Sequence, residues 1–167
     1  MSRLKAHYST IAPEAFKKLL DYSQAAHKIP AGSSIDMNLL ELVNLRVSQI
    51  NGCAYCVDMH TRSLLEGGED AQRLALVPVW RESGFFDPRE RAALDWAEHT
   101  NVKDEAALEA SYAELARHFS ESDIVYLTFA VAVINNWNIM NVALQTPVAR
   151  KPMPEGSPHA ANGTTGM

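Results

Sequence analysis

Asp36-Met37-Asn38-Leu39-Leu40-Glu41-Leu42-Val43-Asn44-Leu45-Arg46-Val47-Ser48-Gln49-Ile50-Asn51-Gly52-Cys53-Ala54-Tyr55-Cys56-Val57-Asp58-Met59-His60 is the stretch on which the reading of this chain turns. Its first fifteen residues have helical character. If Gly52 marks a turn and Cys53 opens a second helix running to about Glu66, then Cys53, Cys56 and His60 stand at i, i+3 and i+7 on one helical face. Glu41 lies eleven residues before Gly52 and His60 eight after it. At a rise of ~1.5 Å per residue these offsets are about 16 and 12 Å from the turn, so an antiparallel pair brings Glu41 within reach of His60.

The rest of the chain follows the same helical grammar. Pro13 and Glu14 open a helix to about His27, and Pro30-Ala31-Gly32-Ser33 breaks the chain before the next. Gly67-Gly68 ends the cysteine helix. A short helix from Asp70 to about Val77 stops at Pro78, and Trp80 to Phe86 connects. Asp87-Pro88-Arg89-Glu90 supplies a cap, a proline in the first turn and a glutamate at the third position, which starts a helix to about Thr100. Asp104 caps another to about Phe119. Ser120-Glu121-Ser122-Asp123 reads as a capping box for the longest helix, to about Leu144. No strand alternation competes, so the expected class is all-α with about six to seven helices. The 167 residues suffice for one domain that buries roughly 68–70% of its unfolded surface. The division expected is a helical domain over 1–149 and a flexible tail over 150–167, where proline, glycine and small polar residues dominate.

The chemistry concentrates at the turn. Cys53 and Cys56 are the two cysteines of the chain, and thiols two residues apart can close a small disulfide. Unpaired N–H groups at a helix start favour a thiolate at either sulfur, and His60, one turn beyond Cys56, adds a base that Glu41 can orient. Other readings of the same residues stand beside this one. Two cysteines on an apolar face also serve as small buried hydrophobes. Two cysteines, His60 and Glu41 are chemically able to hold zinc, but structural zinc draws on a second ligand pair that the sequence does not supply. Covalent haem attachment needs histidine where Val57 stands, and a thioredoxin fold needs strands around the motif.

The pattern Glu41, eleven residues, Cys53-x-x-Cys56, three residues, His60 resembles the active site of the AhpD-like alkylhydroperoxidases, within the carboxymuconolactone decarboxylase superfamily. The similarity runs from about Tyr8 to Pro147 and includes Ile134-Asn135-Asn136-Trp137-Asn138 and Val142-Ala143-Leu144-Gln145-Thr146-Pro147. The resemblance implies that Glu41 and His60 relay protons, that Cys56 attacks peroxide and that Cys53 resolves the product as a disulfide. It also implies an obligate homo-oligomer, trimer or hexamer, that needs no metal or organic cofactor. One position departs from the pattern: family peroxidases can carry histidine just before the second cysteine, and here Tyr55 stands there. Tyr55 can donate a hydrogen bond but, with an ordinary pKa of about 10, is no base at neutral pH. The decarboxylase branch typically lacks the cysteine pair, which favours redox chemistry over lactone decarboxylation.

Composition bounds the remaining possibilities. A net charge of −5 and a pI near 5.6 with no basic run argue against nucleic acid or an anionic membrane as partner. Met1 to Tyr8 has no apolar core, so the expected location is the cytoplasm, where a lone CxxC is kept reduced and is catalytic more often than structural. Ile124 to Ile134 is an apolar run of eleven residues, short of the ~20 a membrane span needs, and points to burial on several sides in a core or against a second subunit. His99 and His118 are expected to favour the helix C-termini where they sit. His7, His27 and His159 show no partner pattern. Trp96 and Trp137 are expected to pack, an aromatic near the thiols also being suited to shaping a peroxide pocket. The expectation is a thiol-dependent peroxidase reducing alkyl hydroperoxides, regenerated by a dithiol or a thioredoxin-like protein. A disulfide reductase, a non-catalytic redox sensor and a decarboxylase-like lyase are the alternatives.

Overall fold

A computed structural model of the chain describes residues 2–154 and forms them into eight α-helices with no strand. These are α1 (Tyr8–Ile11), α2 (Pro13–Ala26), α3 (Met37–Ile50), α4 (Ala54–Glu66), α5 (Ala71–Leu76), α6 (Pro88–Val102), α7 (Glu105–Leu115) and α8 (Glu121–Leu144). Seven answer to the start and stop signals of the sequence. The eighth, α1, is a single turn capped by the ring of His7, which accepts from the backbone N–H of Ser9 at 3.3 Å.

Side chains close the helix starts where the sequence places them. Asp36 accepts from the N–H of Leu39 at 2.8 Å, and Asp70 from that of Arg73 at 2.9 Å. Asp87 and Glu90 form a reciprocal capping box on α6, and Ser120 and Asp123 another on α8. Pro78 does not end the chain's turning, because Val77–Val79 continue as a 3-10 turn. α7 stops at Leu115 rather than near Phe119. Its last amides, those of Arg117 and His118, bond three residues back instead of four, which tightens the turn and drops the Phe119 ring into the core.

α3 is the central element, packed against α4, α6 and α8. Leu39, Leu40, Val43 and Val47 join α6 and α8 in one core cluster, while Leu42 and Leu45 join Leu64, Leu74, Val77, Trp80 and Phe86 in a second. An apolar surface on nearly every side is what a helix needs to sit between two cores. Glu98 of α6 ties these layers together, accepting from Arg46 at 2.5 Å, from the Trp80 indole at 2.9 Å and from Arg81. Burial alone would push its carboxyl up, but the hydrogen bonds from Arg81, Trp80 and Arg46 hold it below the ordinary glutamate range.

α8 extends well past the eleven-residue apolar run, and by length and composition alone it could cross a membrane. In the structure it rests on α2, α3, α4 and α6, with Asp123, Asn138 and Asn141 on its buried side. Burial within the chain is one-sided, since Val125, Phe129, Ile139 and Val142 are exposed, Ile139 by 64%. After Pro147 the chain runs back to α4, where Arg62 donates to the carbonyls of Lys151 at 2.9 Å and Pro152 at 2.6 Å. The remainder of the expected tail, with His159, lies outside the described residues.

Candidate active site

The α3–α4 hairpin forms as the spacing indicates. Gly52 adopts φ +67°, a conformation that favours glycine, and the N–H of Cys53 closes the turn onto the carbonyl of Ser48 at 3.0 Å. The Asn51 amide donates to Asn135 at 3.0 Å and Asn138 at 2.9 Å and exchanges hydrogen bonds with Asn101, fastening the turn to α6 and α8. Cys53 is the N-cap of α4, and its sulfur accepts the N–H of Cys56 at 3.3 Å. The two cysteines are joined in a disulfide, with Cα atoms 5.3 Å apart, and are 1% and 0% exposed. The free N–H at the helix start therefore serves Cys53, where the sequence had left either sulfur eligible.

Glu41 and His60 meet across the hairpin, Oε2 to Nδ1, at 2.8 Å. The carboxylate can only accept, so it holds the Nδ1 proton toward α3 and leaves Nε2 outside the pair. That Nε2 is buried without a protein partner, as is Oδ1 of Asn44 one turn along from Glu41. Glu41, Asn44 and His60 line one cavity of about 260 Å³ with His27, Ser23 and Trp137. Among the described residues no hydrogen bond joins His60 to either sulfur.

Cys56, without exposed surface of its own, instead borders an adjoining cavity of about 380 Å³ walled by Tyr8, Phe16, Leu20, Tyr55, Met59 and Trp137. Ser23, Met59 and Trp137 line both cavities. Trp137 thus packs, as expected, with its ring edge-on to Phe16, and also forms the wall between the two chambers. Tyr55 lines the thiol pocket. Asn141, near the end of α8, directs its amide Nδ2 at Cys56 Sγ at 3.5 Å, and its Oδ1 accepts the Tyr8 hydroxyl at 3.3 Å. Neither Asn44 nor Asn141 was singled out by sequence. Asn44 carries a weak signal, a polar residue one turn from Glu41 and flanked by Val43 and Leu45, whereas Asn141 is 85 residues from Cys56 and carries none.

The other described histidines have local partners. His27 bonds the carbonyl of Ser23 at 2.6 Å, and His7 caps α1. His118 meets Glu114 at 3.0 Å, while His99 lies 3.5 Å from Asp95 and 3.4 Å from Asp104, so carboxylates rather than helix-end carbonyls hold these two rings. Among the described residues no three His, Cys, Asp or Glu side chains are grouped to hold a metal.

A Cys53–Cys56 disulfide at the first turn of one helix, with a carboxylate–imidazole pair in the adjoining cavity, places the chain among all-α proteins that carry a paired-cysteine site. The model of the carboxymuconolactone decarboxylase family matches residues 13–99, and the chain belongs to that family as an AhpD-like member. It is 36% identical over 148 residues to the uncharacterized protein YdfG of Bacillus subtilis, covering 88% of this chain and 98% of YdfG. A crystal structure from Agrobacterium tumefaciens, of a protein of unknown function suggested to be the antioxidant defence protein AhpD, superposes with a TM-score of 0.82. It shares 32% identity over 90% of this chain and 100% of that one. The debrominase Bmp8 shares the fold, with a TM-score of 0.64 at 24% identity, over 81% of this chain and 69% of its own.

Proposed function

We propose that the protein is a thiol-dependent peroxidase that reduces alkyl hydroperoxides through a Cys53–Cys56 dithiol/disulfide cycle. The observation that carries the reading is the placement of Cys56 on an apolar pocket beside the Glu41–His60 pair. In the cycle, Glu41 orients His60, and His60 takes the proton of Cys56. The thiolate attacks the distal peroxide oxygen, forming an S–O bond as the O–O bond breaks, and the departing alkoxide takes a proton from the imidazolium to leave as alcohol. Cys53 then attacks the sulfenic sulfur of Cys56, an S–S bond replaces the S–O bond, and water leaves. An external dithiol or thioredoxin-like protein returns two electrons and two protons by exchange. Tyr55, on the pocket wall, is a hydrogen-bond donor to the bound peroxide. The exposed apolar side of α8 is the surface through which copies associate into a trimer or hexamer, and the cytoplasm is the compartment in which the cycle runs.

Peroxide consumption with excess dithiol tests the reading. Wild type should turn over repeatedly, and Cys56→Ser should abolish reduction because a hydroxyl is a far weaker nucleophile at neutral pH. Cys53→Ser should leave one thiol that accumulates as sulfenate or mixed disulfide. A single stoichiometric oxidation without turnover would identify a redox sensor, and labelling of Cys53 rather than Cys56 by a sulfenate probe in the single-serine proteins would invert the assignment.

A further inference from the structure

We propose that Asn141 is the hydrogen-bond donor that stabilises the Cys56 sulfur as a thiolate, and that Tyr8 is the positioning residue that aims its amide. The inference rests on the dithiol cycle above and adds to it a group from the far end of the chain. The two sulfurs do not share their surroundings. The N–H at the start of α4 is spent on Cys53, and His60 makes no bond to Cys56. Among the described residues Asn141 is the one side chain that donates to Cys56 Sγ, at 3.5 Å and from a site only 5% exposed. A donor held against a desolvated sulfur favours its anionic form over the neutral thiol.

The orientation of the amide follows from its partners. A disulfide sulfur or a thiolate can only accept, so an amide turned the other way would face acceptor with acceptor. The Tyr8 hydroxyl, donating to Oδ1 at 3.3 Å, holds the favourable orientation. Burial, and secondarily the neighbouring Tyr55, push the Tyr8 phenol above its ordinary range, so it remains a donor throughout physiological pH. The Tyr8 ring packs against those of His7 and Phe16, at centroid distances of 4.0 and 5.9 Å, and five residues earlier Arg3 ties the N-terminal segment to the same end of α8 through the carbonyls of Ala143 at 2.9 Å and Leu144 at 3.1 Å. The other surroundings are Phe16, Leu20, Met59 and Trp137, against which an amide without a task would be a cost. The titratable groups facing this pocket are His7 and Tyr8 from the N-terminal segment and Tyr55 from α4. α2 and α8 contribute none, and His60 with Glu41 stands in the adjoining cavity.

Iodoacetamide alkylation rates against pH read the thiolate without reference to peroxide. With Cys53 replaced by Ser, Asn141→Leu should raise the alkylation midpoint of Cys56 by about one pH unit, and Tyr8→Phe should move it in the same direction by less than half as much. In the Cys56→Ser protein, Asn141→Leu should leave the Cys53 profile in place, which a general loosening of the site would not. An unmoved Cys56 midpoint, or equal movement at both cysteines, overturns the assignment. Should Asn141→Leu fail to fold, Tyr8→Phe, which removes a single hydroxyl, decides alone, and an unchanged profile overturns it. Peroxide turnover is measured in parallel. A shifted profile without turnover in the wild type supports the role of Asn141 and refutes the peroxidase, whereas turnover with an unshifted profile does the reverse.

Discussion

Replacing Glu41 by glutamine tests whether the pair across the hairpin is a relay or only a tether. Glu41 Oε2 and His60 Nδ1 are 2.8 Å apart, with side chains 17% and 6% exposed, so the pair is shielded but not dry. Unit charges ~4 Å apart at an effective dielectric of about 20 attract by about 4 kcal/mol, an upper bound on what the pairing contributes before the cost of burying it is deducted. Glutamine keeps a neutral hydrogen bond of ~1 kcal/mol and gives up the charge attraction. Only part of this reaches the sulfur, because no hydrogen bond links His60 to Cys56. The transmitted effect should be about one pH unit, or ~1.4 kcal/mol, on the Cys56 thiol. The expected outcome is a folded protein whose Cys56 alkylation profile, read with Cys53 replaced by Ser, moves to higher pH and whose peroxide turnover slows. Superimposable profiles with and without the Glu41→Gln change would show that the carboxylate pairs the helices and has no electrostatic reach to the thiol.

Two further predictions concern stability and assembly. Asp123 is buried and accepts hydroxyls from Ser33, Ser34 and Ser120 together with the Ser120 N–H; burial alone would raise its carboxyl, but these donors hold it below the ordinary range. Its contribution is therefore fully present at neutral pH and is lost as pH falls below the unfolded value of about 3.9 and through the lower folded one. Asp123→Asn should cost about 2 kcal/mol at pH 7, lowering Tm by roughly 4–8 °C, with the gap to wild type narrowing toward pH ~3; an equal gap in acid, read by thermal melts, would remove the charge from the explanation. Val125→Asp combined with Ile139→Asp, both on the exposed side of α8, should convert an oligomer to an 18.4 kDa monomer in sedimentation velocity. A monomeric wild type would sink the proposed association.

The parts of this fold that sequence reveals are those in which cause and effect lie close along the chain. Asp36, Asp87 and Ser120 cap helices three residues away, and each cap stands where its residue type indicates. The meeting of Glu41 with His60 is legible because a tight turn at Gly52 converts sequence spacing into height along two antiparallel helices. α1 is not legible, since a four-residue helix has no periodicity to read, and its Tyr8 is buried by contacts with residues far along the chain. Which sulfur takes the helix N–H depends on how the Cys53 side chain turns back over the first turn, a matter of rotamer and not of residue type. The one-sided burial of α8 was hidden for a different reason: apolar residues surround the helix, so the pattern cannot tell a face turned to the core from a face turned outward.

This division between near and distant contacts also separates chemistry from selectivity. The disulfide, the imidazole and its carboxylate all come from α3, the turn and α4, within a stretch of twenty residues from Glu41 to His60 that the sequence can specify as a unit. The pocket that Cys56 borders is assembled from α1, α2, α4 and α8; Met59 stands one turn after Cys56 on α4, but Tyr8, Phe16, Leu20 and Trp137 come from other helices and have no fixed spacing relative to the cysteines. In the proposed cycle, changes at those walls alter which molecule reaches the sulfur while the hairpin keeps its cysteine pair. Asn141 and Tyr8 lie on the boundary: they belong to the distant walls by position and to the sulfur by hydrogen bonding. Substitution there should therefore change thiol reactivity even when Glu41, Cys53, Cys56 and His60 are all intact, and a motif-based reading of the active site would not anticipate the loss.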